Sequence, residues 1–309
     1  MTKILIADDD LELQDLLKFS FETAGYEVFQ AYDGKEALIK IKKVLPDIII
    51  LDVLMPEMNG FEVITELKND PETCLIPIIM LTSLSHTKDR LTGLKLGADE
   101  CLVKPIEPYE IIARAENLLK KYYDNVNMLT RLPGENFFEK QINSLLNSAI
   151  EEFYVVYLDI CDFKPYNLKY GFEEGDNLLK LFSGILRSAV ANLGTSKDSL
   201  CHIYASRFAF ISFIDEQKLN MMLENIILLF KDLIRKIFDK ETIENGYFIY
   251  KLSDGKEVKS NLLNLAVVVV KIPKKRFSHY GELLNYIGEM LSLAKQKCEQ
   301  TNSNIVVWG

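Results

Sequence analysis

The chain is short of the residues that would place it in several common classes. Its five cysteines (Cys74, Cys101, Cys161, Cys201 and Cys298) are odd in number, widely spread and contain no C-x-x-C pair. Such a set builds neither a disulfide framework nor a zinc site, and it is the usage expected of reduced thiols in a cytoplasm. The three histidines, His86, His202 and His279, share no metal-ligand spacing. No apolar run approaches the roughly 18 residues of a membrane span, and the N-terminus runs directly into a strand-like Ile4-Leu5-Ile6. A cytoplasmic protein with no membrane partner is expected. Basic residues are in deficit: 36 Lys and Arg against 45 Asp and Glu give a formal charge of -9. That balance argues against nucleic-acid binding by phosphate neutralisation. The basic stretch Lys271 to Arg276 (KIPKKR) reads as a solvated strand end. What remains is an ordinary globular composition, 48% hydrophobic and 26% charged. At roughly 100 to 200 residues per domain, its 309 residues predict two domains.

Up to about residue 106, short apolar runs alternate with helical patterns. Ile4 to Ala7, Asp47 to Leu51 and Pro77 to Leu81 have few polar interruptions, which suits strands buried on both faces of a parallel sheet. Between them Leu13, Leu16, Leu17 and Phe21, then Ala37, Leu38 and Ile41, then Phe61, Ile64 and Leu67 recur at helical spacing. Alternating βα units predict a doubly wound α/β fold whose working edge lies at the carboxyl ends of the strands. At those ends stand Asp8-Asp9-Asp10, Asp52, Thr82-Ser83 and, after Cys101-Leu102-Val103, Lys104-Pro105. Singly, an Asp run is a helix cap and Lys-Pro a turn. Together they converge on one crevice. Clustered carboxylates repel unless a cation neutralises them, and hard oxygen ligands suit Mg²⁺. A carboxylate beside such a metal can attack a phosphoryl group, with a Lys and a Thr stabilising the charge spread over its oxygens.

With these residues in view, residues 1 to 122 resemble the receiver domain of two-component response regulators, a flavodoxin-like fold. The matching stretches are Ile4 to Asp10 (ILIADDD), Asp47 to Gly60 (DIIILDVLMPEMNG), Ile78 to Ser83 (IIMLTS) and Gly97 to Ile106 (GADECLVKPI). The resemblance implies that Asp8, Asp9, Asp52 and the backbone carbonyl of Leu54 hold Mg²⁺. It also makes Asp52 the phosphoacceptor, Thr82 the switch hydroxyl and Lys104 the cation on the phosphoryl group. The bond before Pro105 is expected to be cis. A histidine kinase or phosphotransfer protein would be the donor. The family keeps Tyr or Phe three residues before the Lys, where this chain has Cys101. Either the receiver signals through other side chains, or its coupling is weak and it acts chiefly as a dimeriser.

After Pro108, Ile111, Ala115, Leu118, Tyr122, Val126 and Leu129 follow at helical steps. They predict a last receiver helix whose final turns continue as a connector over 123–133, with homodimerisation along it a further expectation. From 134 to 309 the pattern predicts a helix (134–149), a strand (153–161), two helices (164–170 and 175–193) and strands around 200–214. A long helix (216–239), a hairpin at 253–255, a strand (262–271), a helix (280–300) and a last strand (304–308) follow. Hairpins beside long helices predict an α+β domain with a mainly antiparallel sheet.

Three segments resemble the GGDEF domain of diguanylate cyclases: Asn127 to Asn136 (NMLTRLPGEN), Asp159 to Asp176 (DICDFKPYNLKYGFEEGD), and Ala294-Lys295 with Ser303 to Val307. Asn127 stands where an Asp is usual and Arg131 where a Gly is usual. The second segment implies a nucleotide remnant: Asp159 for a metal, Lys164 for phosphate, Asn167 and Asp176 for guanine. The signature Gly-Gly-Asp/Glu-Glu-Phe is replaced by Tyr204-Ala205-Ser206-Arg207-Phe208. Tyr204 adds bulk where close approach is needed, Ser206 brings no charge to a two-metal site and Arg207 sets a cation beside it. The Arg-x-x-Asp motif of product inhibition aligns with Thr195 to Asp198, without its Arg. The sequence therefore predicts a response regulator with a degenerate GGDEF-like output that is no enzyme and binds a protein, or a nucleotide. The alternative is an active or residual cyclase making cyclic di-GMP from GTP, with or without an intact partner.

Overall fold

The uninterrupted apolar runs of the first half become the strands of one parallel sheet. The computed structural model describes the chain apart from residues 1, 71–72, 84–86 and 253 and the side chains of 87–89. His86 and Ser253 of the expected hairpin therefore lie outside the described residues. The chain divides into two units, Met1–Asp124 and Asn125–Gly309.

The first unit runs β1 (Lys3–Ala7), α1 (Leu11–Thr23), β2 (Glu27–Ala31), α2 (Gly34–Val44), β3 (Ile48–Asp52), α3 (Gly60–Asn69), β4 (Ile78–Thr82), α4 (Thr87–Leu96), β5 (Glu100–Val103) and α5 (Pro108–Tyr123). All neighbouring strands are parallel, in the order β2-β1-β3-β4-β5. Alternation sorts the side chains onto two faces. Leu5, Ala7, Ile49, Leu51, Ile78 and Met80 pack with Ala37 and Ile41 of α2 and Val63, Ile64 and Leu67 of α3. Ile4, Ile6, Ile48, Ile50, Ile79 and Leu81 pack with Leu17 and Phe21 of α1 and Ile111, Ala115 and Leu118 of α5. From β1 the chain passes to β2 on one side and later to β3 on the other, so a crevice opens between the carboxyl ends of β1 and β3.

The helix after Pro108 is shorter than its apolar steps predict. α5 ends at Tyr123, and 123–133 is not a helical connector. Asn127 captures the chain instead: its Oδ1 accepts from the backbone N–H of Leu129 and Thr130, at 3.0 and 3.2 Å. A bridge pairs Val126 with Pro133, and Gly134 N–H donates to Asn125 O at 2.7 Å. Such side-chain-to-backbone bonds compete with helix. The stripe Ile111, Ala115 and Leu118 packs in the core of its own unit, so a homodimer on α5 would have to use the other face.

The second unit runs α6 (Glu135–Leu146), β6 (Glu152–Ile160), α7 (Phe163–Tyr170), α8 (Phe172–Leu193), β7 (Ser199–Tyr204), β8 (Arg207–Ser212), α9 (Glu216–Ile237), α10 (Lys240–Asn245), β9 (Tyr247–Lys251), β10 (Glu257–Asn261), β11 (Leu265–Pro273), α11 (Tyr280–Thr301) and β12 (Ile305–Trp308). Its main sheet is β12-β11-β6-β8-β7, antiparallel except for the β11–β12 pair, while β9 and β10 form a separate antiparallel hairpin. One face, with Val156, Leu158, Phe208, Phe210 and Val267, meets α8 and α9 through Phe182, Leu186, Leu223 and Phe230. The other, with Val155, Tyr157, Ile211 and Val268, meets Phe138 and Ile142 of α6 and Leu283, Ile287 and Leu291 of α11.

Gly60, the first residue of α3, shows how tightly the loop after β3 is held. Its N–H donates to Val53 O at 2.9 Å, and a Cβ there would run into the carbonyl oxygen of Asp52. Gly60→Ala is expected to cost roughly 1–3 kcal/mol of receiver stability, as overpacking against a fixed backbone does. Gly288→Ala on the exposed side of α11, where a Cβ meets nothing within 4 Å, should be neutral or stabilising. Urea unfolding followed by hydrogen exchange in peptides of each unit measures both.

Candidate functional site

The run Asp8-Asp9-Asp10 divides into three roles as soon as β1 ends. Asp10 caps α1, its Oδ1 accepting from the N–H of Glu12 and Leu13 at 3.0 and 3.1 Å. Asp9 is exposed, whereas Asp8 is fully buried and accepts Asp10 N–H on Oδ1 at 3.0 Å. Asp52, the last residue of β3, is 4% exposed. Asp8, Asp9 and Asp52 each offer a carboxylate oxygen, and these lie within 4.8 Å of one another. Lys104, just beyond β5, sets its Nζ 2.7 Å from Asp8 Oδ2 and 3.2 Å from Asp52 Oδ1. The Lys104-Pro105 peptide bond is cis. Thr82 ends β4, is buried, and accepts Lys104 N–H on its carbonyl at 2.9 Å. Leu54 lies two residues past β3 with its side chain exposed.

Among the described residues, three carboxylates face one ammonium, which leaves this crevice short of positive charge. Burial and then the charge of Asp8 push the Asp52 carboxyl up to about 6, against the smaller downward pull of Lys104. Burial alone would lower Lys104, but its hydrogen bond to Asp8 and the charges of Asp52 and Asp8 hold it above its ordinary value. A site of hard oxygens with unneutralised repulsion fits a divalent cation such as Mg²⁺.

The second unit buries a carboxylate in the opposite condition. Asp159, in β6, is 1% exposed. Its Oδ1 accepts from Ser206 Oγ at 2.7 Å; its Oδ2 accepts from Arg207 Nε at 2.9 Å and faces Lys295 Nζ of α11 at 2.6 Å. Sheet register sets Arg207 opposite Asp159, since Asp159 pairs with Arg207 across β6 and β8. Both oxygens are filled by the chain's own donors. A metal there would have to displace two cations, so these residues do not fit one as they stand.

The stretch Tyr204 to Phe208 forms the β7–β8 hairpin, with Tyr204 paired to Arg207 and Ala205 at φ +49. Arg207 lies over the Tyr204 ring, 4.8 Å from its centroid. His202 holds the turn from below: its Nε2 lies 2.8 Å from Ala205 O, its Nδ1 3.0 Å from Thr130 Oγ1, and its ring stacks on Phe208. Burial pushes His202 below its ordinary value, so the neutral ring donates from Nε2 and accepts at Nδ1. Arg131, where a Gly is usual, adopts φ +55, the left-handed backbone that glycine takes without strain.

The other expected residues are more scattered. Lys164 on α7 and Asp176 on α8 are exposed, and neither they nor Asn167 bonds to Asp159. Asp176 lies inside α8, which begins at Phe172 after Gly171 with φ +94. Asn167 Oδ1 is buried with no hydrogen-bond partner among the described residues and occupies the space that a Cβ on Gly175 would need. Asp198 accepts from Thr195 Oγ1, Ser212 Oγ and Phe213 N–H, so it braces its own loop. The basic stretch is also tied down locally: Lys271 pairs with Glu152 at 3.1 Å, Lys274 faces Glu151 at 3.9 Å, and Arg276 donates to Lys271 O at 2.6 Å. Sequence reasoning gave Lys295 no partner and His202 no role. Both act through tertiary packing, which leaves no local pattern.

Two family models match the sequence: the response regulator receiver domain over residues 4–116, and the diguanylate cyclase GGDEF domain over residues 124–266. The DNA-binding dual master transcriptional regulator RpaA of Synechocystis is 40% identical over 121 residues, 39% of this chain and 50% of that protein. The alkaline phosphatase synthesis transcriptional regulatory protein PhoP of Bacillus subtilis is 40% identical over 119 residues, 38% of this chain and 49% of that protein. The chain spans about half the length of the curated relatives it matches. Among solved structures, the chemotaxis response regulator CheY4 of Vibrio cholerae is 36% identical, with a TM-score of 0.37, over 38% of this chain and 98% of that one. The receiver domain of the Francisella response regulator 1452 is 36% identical, with a TM-score of 0.37, over 39% of this chain and 98% of that one. The expectation that the chain is no enzyme is corrected by the second model, whose family is an enzyme family. No described helix is long and apolar enough to cross a membrane.

Both buried carboxylates yield measurable consequences. The folded Asp52 carboxyl holds its proton more tightly than the unfolded one, so its stabilising contribution is full below 3.8 and lost as the pH rises through about 6. In the metal-free protein Asp52→Asn is therefore expected to raise Tm more at about pH 7.5 than at about pH 5, where the proton already removes the repulsion. Calorimetry in chelator decides this; equal shifts at both pH values refute it. At the second carboxylate, Asp159→Ala leaves two cations facing each other and should cost about 3 kcal/mol by urea unfolding. Lys295→Met leaves the Arg207 pair intact and should cost below about 1 kcal/mol, since Lys295 is partly in water.

Proposed function

This chain is a response regulator receiver domain joined to a GGDEF domain, and on that premise we propose that it is a phosphorylation-controlled regulator with Asp52 as phosphoacceptor. Receiver domains take their phosphoryl group from histidine kinases or phosphotransfer proteins. The observation that carries the reading is the charge deficit at the β1–β3 crevice, where Asp8, Asp9 and Asp52 cluster and, among the described residues, Lys104 alone answers them. Mg²⁺ held by Asp8, Asp9, Asp52 and the Leu54 carbonyl would supply positive charge to the phosphoryl oxygens. Asp52 attacks phosphorus, forming the acyl phosphate as the bond to the donor breaks. Lys104 stays beside the new phosphoryl group as its counter-charge, and the Thr82 hydroxyl donates to one of its oxygens.

The charge change is read by the GGDEF domain, whose working surface in this proposal is the Tyr204–Phe208 hairpin with Asp159, Arg207 and Lys295. The exposed Tyr204 and the neutralised Asp159 favour a protein partner there. The family match favours a second reading, synthesis of cyclic di-GMP from GTP. One set of assays separates them. Acetyl phosphate with Mg²⁺ should add one hydroxylamine-labile phosphoryl group to wild type and none to Asp52→Ala; equal labelling refutes the receiver assignment. The activated protein is then incubated with GTP and Mg²⁺. Cyclic di-GMP formed at a rate that falls in Asp159→Ala identifies a cyclase. A pull-down partner that depends on Asp52 and is lost in Tyr204→Ala identifies the protein-binding reading.

A further inference from the structure

α1 buries Gln14, Leu17 and Phe21, and the first of these places an amide in a stripe that is otherwise apolar. Gln14 is fully buried. Its Nε2 donates to Asp8 O at 2.9 Å and to Ala31 O at 2.5 Å, and lies 3.5 Å from Ile6 O. Ile6 belongs to β1 and Ala31 ends β2, so one side chain joins the two strands at their carboxyl ends, beside the crevice. Chemistry fixes the orientation of the amide, because only its nitrogen can face three carbonyl oxygens. The opposite atom, Oε1, is buried with no hydrogen-bond partner among the described residues. An orphaned buried acceptor costs folding free energy, and an apolar side chain beside Leu17 and Phe21 would avoid that cost. The packing of α1 does not call for an amide here; the peptide that it grips does.

That peptide is the one between Asp8 and Asp9. The rest of Asp8 is already tethered: its N–H donates to Ala31 O at 3.1 Å, its Oδ1 accepts from Asp10 N–H at 3.0 Å, and its Oδ2 faces Lys104 Nζ at 2.7 Å. Gln14 tethers the carbonyl, where the chain leaves the sheet and turns towards α1. The peptide is a rigid plane, so tilting it swings the Asp9 side chain relative to that of Asp8. We propose that Gln14 is a positioning residue for this pair of carboxylates, holding them at the spacing in which a divalent cation binds. It reaches the metal and the phosphoryl group only through the Asp8–Asp9 peptide. The inference rests on the reading of the crevice as a Mg²⁺-dependent phosphoacceptor site, and adds to it a residue behind the site that sets its metal affinity. Removing a group that orients metal ligands typically weakens metal binding about 10- to 100-fold.

The test uses the full chain, freed of metal by chelator. Mn²⁺ is titrated at neutral pH with the free ion read by electron paramagnetic resonance, and the crevice site is the one that disappears in Asp8→Asn. Gln14→Met and Gln14→Leu cannot donate and should each weaken that site about 10-fold. Leu17→Ala, three residues along the same buried stripe, removes packing without touching the Asp8 peptide. It should lower Tm and leave the Mn²⁺ constant unchanged. Labelling by acetyl phosphate is followed on the same proteins. The half-saturating Mg²⁺ should rise by the same factor in the Gln14 variants, while the rate at saturating Mg²⁺ stays within about two-fold of wild type. An unchanged Mn²⁺ constant in both Gln14 variants, with the site still lost in Asp8→Asn, overturns the inference alone. So does an equal weakening in Leu17→Ala. Loss of folding in both Gln14 variants, read from their Tm, marks a structural amide and overturns it too. Mn²⁺ binding indifferent to Asp8→Asn overturns the reading of the crevice and this inference with it.

Discussion

A carboxylate buried at a strand end must find positive charge, and both units of this chain are organised around that requirement. Removing an ion from water costs several kcal/mol unless a partner answers it. In the receiver the partner is incomplete: Lys104 bonds Asp8 and Asp52, Asp9 adds a third negative charge, and Asp52 is left holding its proton up to about 6. In the GGDEF domain the answer is complete, with Ser206, Arg207 and Lys295 filling both oxygens of Asp159. One crevice keeps an excess of negative charge among the described residues. The other is closed by its own side chains.

The folds decide which condition is reached. A parallel sheet delivers the ends of β1, β3, β4 and β5 to one edge, so the residues at each strand end meet there, Lys104 directly bonding Asp8 and Asp52. The antiparallel arrangement around β6 does the reverse. It runs β8 back alongside, so the residue opposite Asp159 is fixed by register as Arg207. Whatever occupies that hairpin position becomes the carboxylate's neighbour. α11, packed across the same face, brings Lys295 from far along the chain. His202 adds stiffness below the turn by joining Thr130 to Ala205.

Much of the receiver is legible in the sequence because a strand buried on both faces has to be an apolar run. The first polar residue after such a run marks the edge where chemistry can occur. Asp8, Asp52, Thr82 and Lys104 are all found by that rule. The rule fails where apolar spacing continues but the backbone has a better partner: Val126 and Leu129 keep helical steps, yet the Asn127 side chain takes the N–H groups that a helix would use. It also fails for contacts made by packing. The hairpin makes Arg207 readable as a cation near Asp159, whereas nothing near Lys295 announces β6 as its neighbour. The apolar pattern starts α8 at Gly175, whereas the positive φ of Gly171 breaks the chain before Phe172, three residues earlier.

The departure at Cys101 is explained from the other side of the contact. Gly93 of α4 sits so close to β4 and β5 that a Cβ there would come within 2.9 Å of both Cys101 Sγ and Met80 Sδ, with the Phe61 ring at 3.7 Å. The Cys101 thiol also points at Arg90 O of the same helix, at 3.7 Å. An aromatic ring at position 101 would need the volume that α4 occupies. A small residue on the strand and a glycine on the helix are therefore one arrangement: α4 is seated directly on two sulfurs of the sheet. The strand that ends at Thr82, β4, also carries Met80, on which α4 rests.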